Sequence, residues 1–280
     1  MPYTILVTGA NKGIGYEAVK LLSQRKPDAT ILLGSRSIQN GEDAIAKMKS
    51  SLPSHSFSNI KVLPIDITSS SSLQSAAEHV KSTYTTLDVL INNSGISELN
   101  GDPKHPAIFD VNIRGAKDAI ETFVPLLTPK IGIVTLVSSV VGPWYMTELG
   151  ADTPLHKKLD DYKSVSWEKV EAWMADWQVY ADGGKSEDQW VPLDKGVIGS
   201  RYCASKAILN PWIRWYAAKH PELHIAVVCP GYCATELNNF QGTRSAAEGG
   251  ESIIWPVFNQ FESGKFYQDG NEMSYDTFKW

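Results

Sequence analysis

The sequence predicts an α/β fold: a doubly wound parallel sheet with helices on both faces. Three observations carry this. Short apolar runs rich in β-branched residues recur along the chain, with helical patterns between them. These runs are apolar almost without interruption, as expected of strands buried on both faces. Their last residues are polar or glycine, so such groups line up along one edge of the sheet, where ligands of this architecture bind.

The first run, YTILVT, leads into TGANKGIG, Thr8 to Gly15. The segment YEAVKLLSQ that follows sets Ala18, Val19, Leu21 and Leu22 on one side of a helix that ends near Pro27. A strand, a glycine turn and a helix make a phosphate site, because glycines let the backbone approach an anion and the helix N-terminus offers unpaired N–H groups. The spacing of Gly9, Gly13 and Gly15 differs from G-x-G-x-x-G, so the turn alone does not specify a dinucleotide. Further strands are predicted over 29–36 (ATILLGSR), 59–66 (NIKVLPID), 87–94 (LDVLINNS), 132–139 (GIVTLVSS) and 224–231 (HIAVVCPG). They end in Ser35-Arg36, Asp66, Asn92-Asn93-Ser94, Ser138-Ser139 and Pro230-Gly231. Helices are predicted at about 40–50, 70–83, 107–127 and 201–219.

Residues 144–196 break this rhythm. Within them SWEKVEAWMADWQVYADGG reads as an amphipathic helix, with Val170, Trp173, Met174 and Trp177 at helical spacing and Gly183-Gly184 as its stop. Trp144, Trp167, Trp173, Trp177 and Trp190 concentrate here. They either anchor an inserted helical segment to the core or line a pocket for a flat or bulky substrate. The loop at about 235–262 carries Gly242, Gly249 and Gly250 and is expected to form a lid over the substrate. The whole chain, 1–280, is expected to be a single domain.

Its 42% hydrophobic content over 280 residues supports a real core, and its net charge of −5 leaves no basic field to attract nucleic acid or an anionic membrane. No run approaches a membrane span or a signal h-region, so a cytosolic protein is expected. Cys203, Cys229 and Cys233 form no C-x-x-C pair, which fits reduced, buried thiols and no metal site.

Tyr-x-x-x-Lys places two side chains on one helical face, and it occurs as Tyr16/Lys20, Tyr202/Lys206 and Tyr275/Lys279. Only Tyr202 follows the strand ending in Ser139 and precedes the strand ending in Pro230-Gly231. YCASK, taken with TGANKGIG, Asp66, NNSG, Asn112 in FDVNIRG, Ser139 in SSVVG and PGYCAT, resembles the short-chain dehydrogenases/reductases over nearly the whole chain. The long Ser139-to-Tyr202 segment, the NKGIG turn and the ending AAEGGESIIW…GKFYQD are similar to the monomeric carbonyl reductases, which include plant and fungal ketone reductases of specialised metabolism. NNSG departs from the usual NNAG by a small-for-small change. Pro211 departs too, falling within the helix of Tyr202 and Lys206, whose C-terminal half it is expected to kink or interrupt.

The resemblance implies a Rossmann-type fold and a set of roles. Tyr202 would protonate the carbonyl oxygen as hydride arrives from the nicotinamide. A free tyrosine, with a pKa of about 10, is poorly suited to this near neutrality, and Lys206 would lower it while holding the ribose hydroxyls. Ser139 would bond the substrate oxygen, and Asn112 would hold a water linking Lys206 to solvent. Gly9, Asn11, Lys12, Gly13, Ile14 and Gly15 would form the phosphate turn. Asp66 would touch the adenine and Asn92 would back the cofactor. Pro230, Gly231 and Thr235 would surround the nicotinamide, unless Thr235 caps the following helix. Strand two ends without an acid and carries Arg36, and Lys12 adds a second cation, so NADP(H) is expected rather than NAD(H). The expected activity is NADPH-dependent reduction of a ketone, aldehyde or quinone, bulky or aromatic, by a monomer. The rivals are a cofactor-binding sensor or scaffold, and an enzyme directing NADPH to alkene reduction or cyclisation.

Overall fold

A computed structural model describes residues 3–98 and 102–278; Lys279, of the third Tyr-x-x-x-Lys match, lies outside them. The predicted strands are β1 (Thr4–Val7), β2 (Thr30–Ser35), β3 (Ile60–Pro64), β4 (Val89–Asn92), β5 (Ile133–Val137) and β6 (His224–Val228). Two short strands extend the sheet, β7 (Phe266–Gln268) and β8 (Asn271–Met273). The order is β3-β2-β1-β4-β5-β6-β7-β8, parallel throughout except for the β7–β8 hairpin. The order reverses between β1 and β4, and at such a switch point the carboxyl ends of the strands open a crevice for a ligand.

The helices are α1 (Gly13–Arg25), α2 (Ile38–Ser51), α3 (Ser70–Tyr84), α4 (Ala107–Phe109), α5 (Ala116–Phe123), α6 (Val141–Leu149), α7 (Pro154–Asp160), α8 (Trp167–Ala181), α9 (Arg201–Lys219) and α10 (Ala246–Ile254). A π-helical turn, Asp110–Gly115, joins α4 to α5. The period-2 alternation of each strand serves two layers. Ile5 and Val7 pack with Ala18, Val19 and Ile253 on one face, and Leu6 packs with Ile113, Phe123 and Ile208 on the other. Among the described residues no helix is long and apolar enough to cross a membrane.

The insertion is held by its aromatics. Trp173, Trp177 and Trp190 are buried, and Trp177 meets Phe109 edge-on at 5.4 Å between centroids. The Arg201 guanidinium lies against both rings, 5.1 Å from the centroid of Phe109 and 4.9 Å from that of Trp177. Asp176 gathers the segment after α8 by accepting from Glu187 N at 2.6 Å, Asp188 N at 3.1 Å and Trp190 Nε1 at 2.9 Å. These three tryptophans are therefore anchors.

Two expectations are corrected. Helix α9 runs from Arg201 to Lys219 without interruption through Pro211. Residues 203–213 are all buried, so packing on every side holds the helix despite one missing N–H. In the expected lid, Gly249 and Gly250 serve close packing: a Cβ would lie 2.6 Å from Cys233 Sγ at the first and 3.0 Å from Ala18 N at the second. Helix α10 thus belongs to the layer of α1.

Candidate active site

The glycine turn is shaped by a hydrogen-bond network under it. Thr8 is fully buried, and its hydroxyl accepts from Asn93 N and Ser94 N, both at 3.0 Å, and donates to Asn92 Oδ1 at 3.2 Å. Asn93 Nδ2 donates to Thr8 O at 2.8 Å and Gly9 O at 3.2 Å. Gly9 has φ +63°, and a Cβ on Gly15 would sit 2.5 Å from Asn93 Nδ2, so α1 can approach the turn only as glycine. The first turn of α1 carries no acid, and Lys12 at its N-cap makes no side-chain cap bond. Those N–H groups remain available to an anion. Asn92 also donates to Ala116 O at 2.8 Å, which makes it the tie between β4 and α5.

At the ends of β5 and α9 the remaining groups meet. Ser139 interacts with the Tyr202 phenol and accepts from Val141 N at 3.3 Å. Lys206 is 5% exposed, donates to Val137 O at 3.2 Å and lies 5.8 Å from the Tyr202 ring centroid. Burial brings its pKa down to about 8, against a small opposing effect of Cys229. The expected lowering of the Tyr202 pKa by Lys206 is overturned. Burial of the phenol dominates and pushes it well above the usual tyrosine range, with Cys203, Cys229 and Glu98 adding to the rise and Ser139 opposing it.

Asn112 lies in the π-helical turn, an irregularity common at functional sites. Its side chain accepts from Ile96 N at 2.9 Å and donates to Ile96 O at 2.9 Å and Ser205 Oγ at 3.1 Å. It therefore locks the loop after β4 to the helix of Tyr202 and Lys206.

Arg36 is exposed at the end of β2. Burial works to raise the Asp66 pKa, but hydrogen bonds from Thr68 and the charge of Arg36 outweigh it and hold the carboxyl below its usual range. Lys12 is not a lone cation: its Nζ lies 2.5 Å from Glu236 Oε2, with both side chains exposed. Such a surface pair contributes little and exchanges readily. Thr235 forms a capping box with Asn238, and its methyl lies 3.7 Å from where a Cβ on Gly13 would stand. Gly231, φ +80°, admits Arg244, whose bidentate pair with Asp269 clamps the Pro230-Gly231 loop to the β7–β8 turn. The reading from residues missed Thr8, Asn93, Arg244 and Glu236. The first two stand inside TGANKGIG and NNSG, while nothing local marks the other two.

The model of the family "short chain dehydrogenase" matches residues 3–150. The chain is a member of the short-chain dehydrogenase/reductase family. Short-chain dehydrogenase/reductase 1 of Saponaria officinalis is 30% identical, covering 89% of this chain and 87% of its own. The (+)-neomenthol dehydrogenase of Arabidopsis thaliana is 28% identical, with 90% of each chain covered. The structure of salutaridine reductase from Papaver somniferum superposes with a TM-score of 0.78 at 24% identity, covering 95% of this chain and 99% of that one.

A short-chain dehydrogenase/reductase is an oxidoreductase that uses a nicotinamide cofactor, and the residues here fit one. The turn of Gly9, Asn11, Lys12, Gly13, Ile14 and Gly15, shaped for close approach and open at the α1 N-terminus, would hold a pyrophosphate. Arg36 and Asp66, beyond the carboxyl ends of β2 and β3, would hold the adenosine half of the cofactor, and Lys206, Pro230, Gly231 and Thr235 its nicotinamide half.

Proposed function

We propose that this reductase uses NADPH to convert a bulky ketone, aldehyde or quinone to the alcohol, working as a cytoplasmic monomer. The convergence of Ser139, Tyr202 and Lys206 at the end of the sheet that holds the glycine turn carries this reading. When bound, the nicotinamide supplies the hydride. Ser139 would orient the carbonyl oxygen and stabilise the charge that develops on it. Tyr202 would release the proton from Oη to that oxygen. Its raised pKa keeps it protonated at neutral pH, the form that reduction requires and oxidation does not. Lys206, with a pKa of about 8, is mostly charged at pH 7 and would hold the ribose and resupply the proton. Asn112 keeps the two walls of the site in register through Ile96 and Ser205.

Arg36, in place of an acid at the end of β2, supports a 2′-phosphate, and Lys12 would join it by exchanging Glu236 for that phosphate. The exposed apolar side chains Val197, Tyr232, Leu237 and Phe240, on the segments flanking Tyr202 and the glycine turn, support a large apolar substrate held under residues 235–243. The names of the relatives, neomenthol dehydrogenase and salutaridine reductase, support a carbonyl and alcohol pair of specialised metabolism. Helix α8 packs over Phe109 and Arg201, at the starts of the 107–123 helical run and of α9, which supports a monomer.

The test is NADPH oxidation followed with aliphatic, aromatic and quinone carbonyls. Turnover is expected, at least tenfold better than with NADH, and Tyr202→Phe should lose about 10²- to 10⁴-fold in kcat. NADPH binding with no carbonyl reduced across the panel would sink the reading.

A further inference from the structure

Residues 235–240 form a turn that keeps its own shape. Ala234 N donates to Arg244 O at 2.8 Å and Arg244 N to Tyr232 O at 3.0 Å, which joins the two ends of the segment. Inside it Phe240 N donates to Thr235 O at 2.8 Å, while Asn238 Oδ1 accepts from Thr235 N at 3.2 Å and Asn238 Nδ2 donates to Cys233 O at 2.9 Å. Two side-chain contacts fasten this turn to the loops after β4 and β1. Ser97 Oγ donates to Leu237 O at 2.6 Å, and Lys12 Nζ donates to Glu236 Oε2 at 2.5 Å. The second contact reaches the N-cap of α1, beside the N–H groups offered to a phosphate.

The Lys12–Glu236 pair is open to exchange. Its side chains are 62% and 58% exposed, and among the described residues neither charged group has another partner. An exposed ion pair is weak, and a phosphate offers a lysine more acceptor oxygens than it gives up. We propose that Glu236 is a displaceable counter-ion for the cofactor: without cofactor it neutralises Lys12 and fastens the 235–240 turn to the glycine turn, and a cofactor phosphate takes Lys12 and sets Glu236 free. This rests on the NADPH reading. Because binding must break the pair, Glu236 lowers cofactor affinity. Breaking it also removes one of the two contacts that fasten the turn, so the phosphate and residues 235–240 are coupled, each weakening the hold of the other.

The experiment measures calorimetric binding of NADPH and NADH to the full chain as wild type, Glu236→Gln, Lys12→Met and the double variant. Both side chains are exposed, so the fold should tolerate all three changes. Glu236→Gln should bind NADPH about three- to fivefold more tightly than the wild type, and that gain should vanish in the Lys12→Met background. A gain for NADPH with none for NADH assigns Lys12 to the 2′-phosphate, and equal gains assign it to the pyrophosphate that both cofactors carry; each supports the exchange. NADPH binding that is unchanged or weaker in Glu236→Gln overturns it. So does a gain that persists with Lys12→Met, which would be charge repulsion alone. Hydrogen exchange reads the turn itself: the amides of residues 238–240 should exchange faster in Glu236→Gln than in the wild type without cofactor, and alike in both at saturating NADPH. No difference without cofactor, or one that persists with it, overturns the release of the turn. If neither cofactor binds the wild type, the NADPH reading itself has failed, whereas binding without response to Glu236→Gln leaves that reading standing.

Discussion

Thr8 and Trp177 are both fully buried, yet they hold their regions by different physics. Thr8 works through direction: one hydroxyl serves two N–H donors and one carbonyl acceptor, so few other residues could replace it. Trp177 works through area, by ring contacts with Phe109 and Arg201 that another large apolar group could partly reproduce. Directed bonds demand particular residue types at particular places and leave a motif in the sequence. Packing by area leaves only an amphipathic helix.

Four substitutions test this contrast. The largest effect is expected for Trp177→Ala, which should destabilise the protein by about 3–5 kcal/mol in denaturant unfolding, with Trp177→Phe recovering much of the loss. If Phe costs as much as Ala, the region depends on more than area.

Lys206→Met comes next and carries a pH signature. Below pH 8 the lysine is charged in both the folded and unfolded chain, and the penalty of burying it is fully present. As pH rises from about 8 toward the ordinary 10.5, the folded chain gives up the proton while the unfolded chain keeps it, so this penalty disappears. The variant should be more stable than the wild type by up to about 3 kcal/mol at pH 7, with the advantage shrinking toward pH 10. A stability difference that does not vary with pH would contradict the burial of this charge.

Thr8→Val is isosteric but leaves Asn93 N and Ser94 N without their acceptor. About 2 kcal/mol of stability should be lost, together with cofactor affinity. Retention of both would show that the network under the turn is dispensable. The smallest effect is expected for Arg36→Ala, an exposed residue: KM for NADPH should rise about tenfold, or 1.4 kcal/mol, with KM for NADH little changed. Equal changes for both cofactors would remove the 2′-phosphate from its role.

The sequence by itself determined six of the eight strands, the five segments predicted as helices along the sheet, the amphipathic helix α8, the glycine turn and the order in which Asn112, Ser139, Tyr202 and Lys206 arrive. Those features follow from periods of 2 and 3.6 residues and from motifs a few residues long, which are local properties of a chain. The tertiary structure alone decided the rest. β7 and β8 are three residues each, too short for alternation to show. Pro211 reads as a break, but burial around α9 carries the helix through it. Lys12 looks free until Glu236, 224 positions away, is brought against it. The direction of the Tyr202 pKa depends on how much water and which charges, Glu98 among them, surround the phenol. Solvent exclusion and contacts between distant segments exist only in the folded chain.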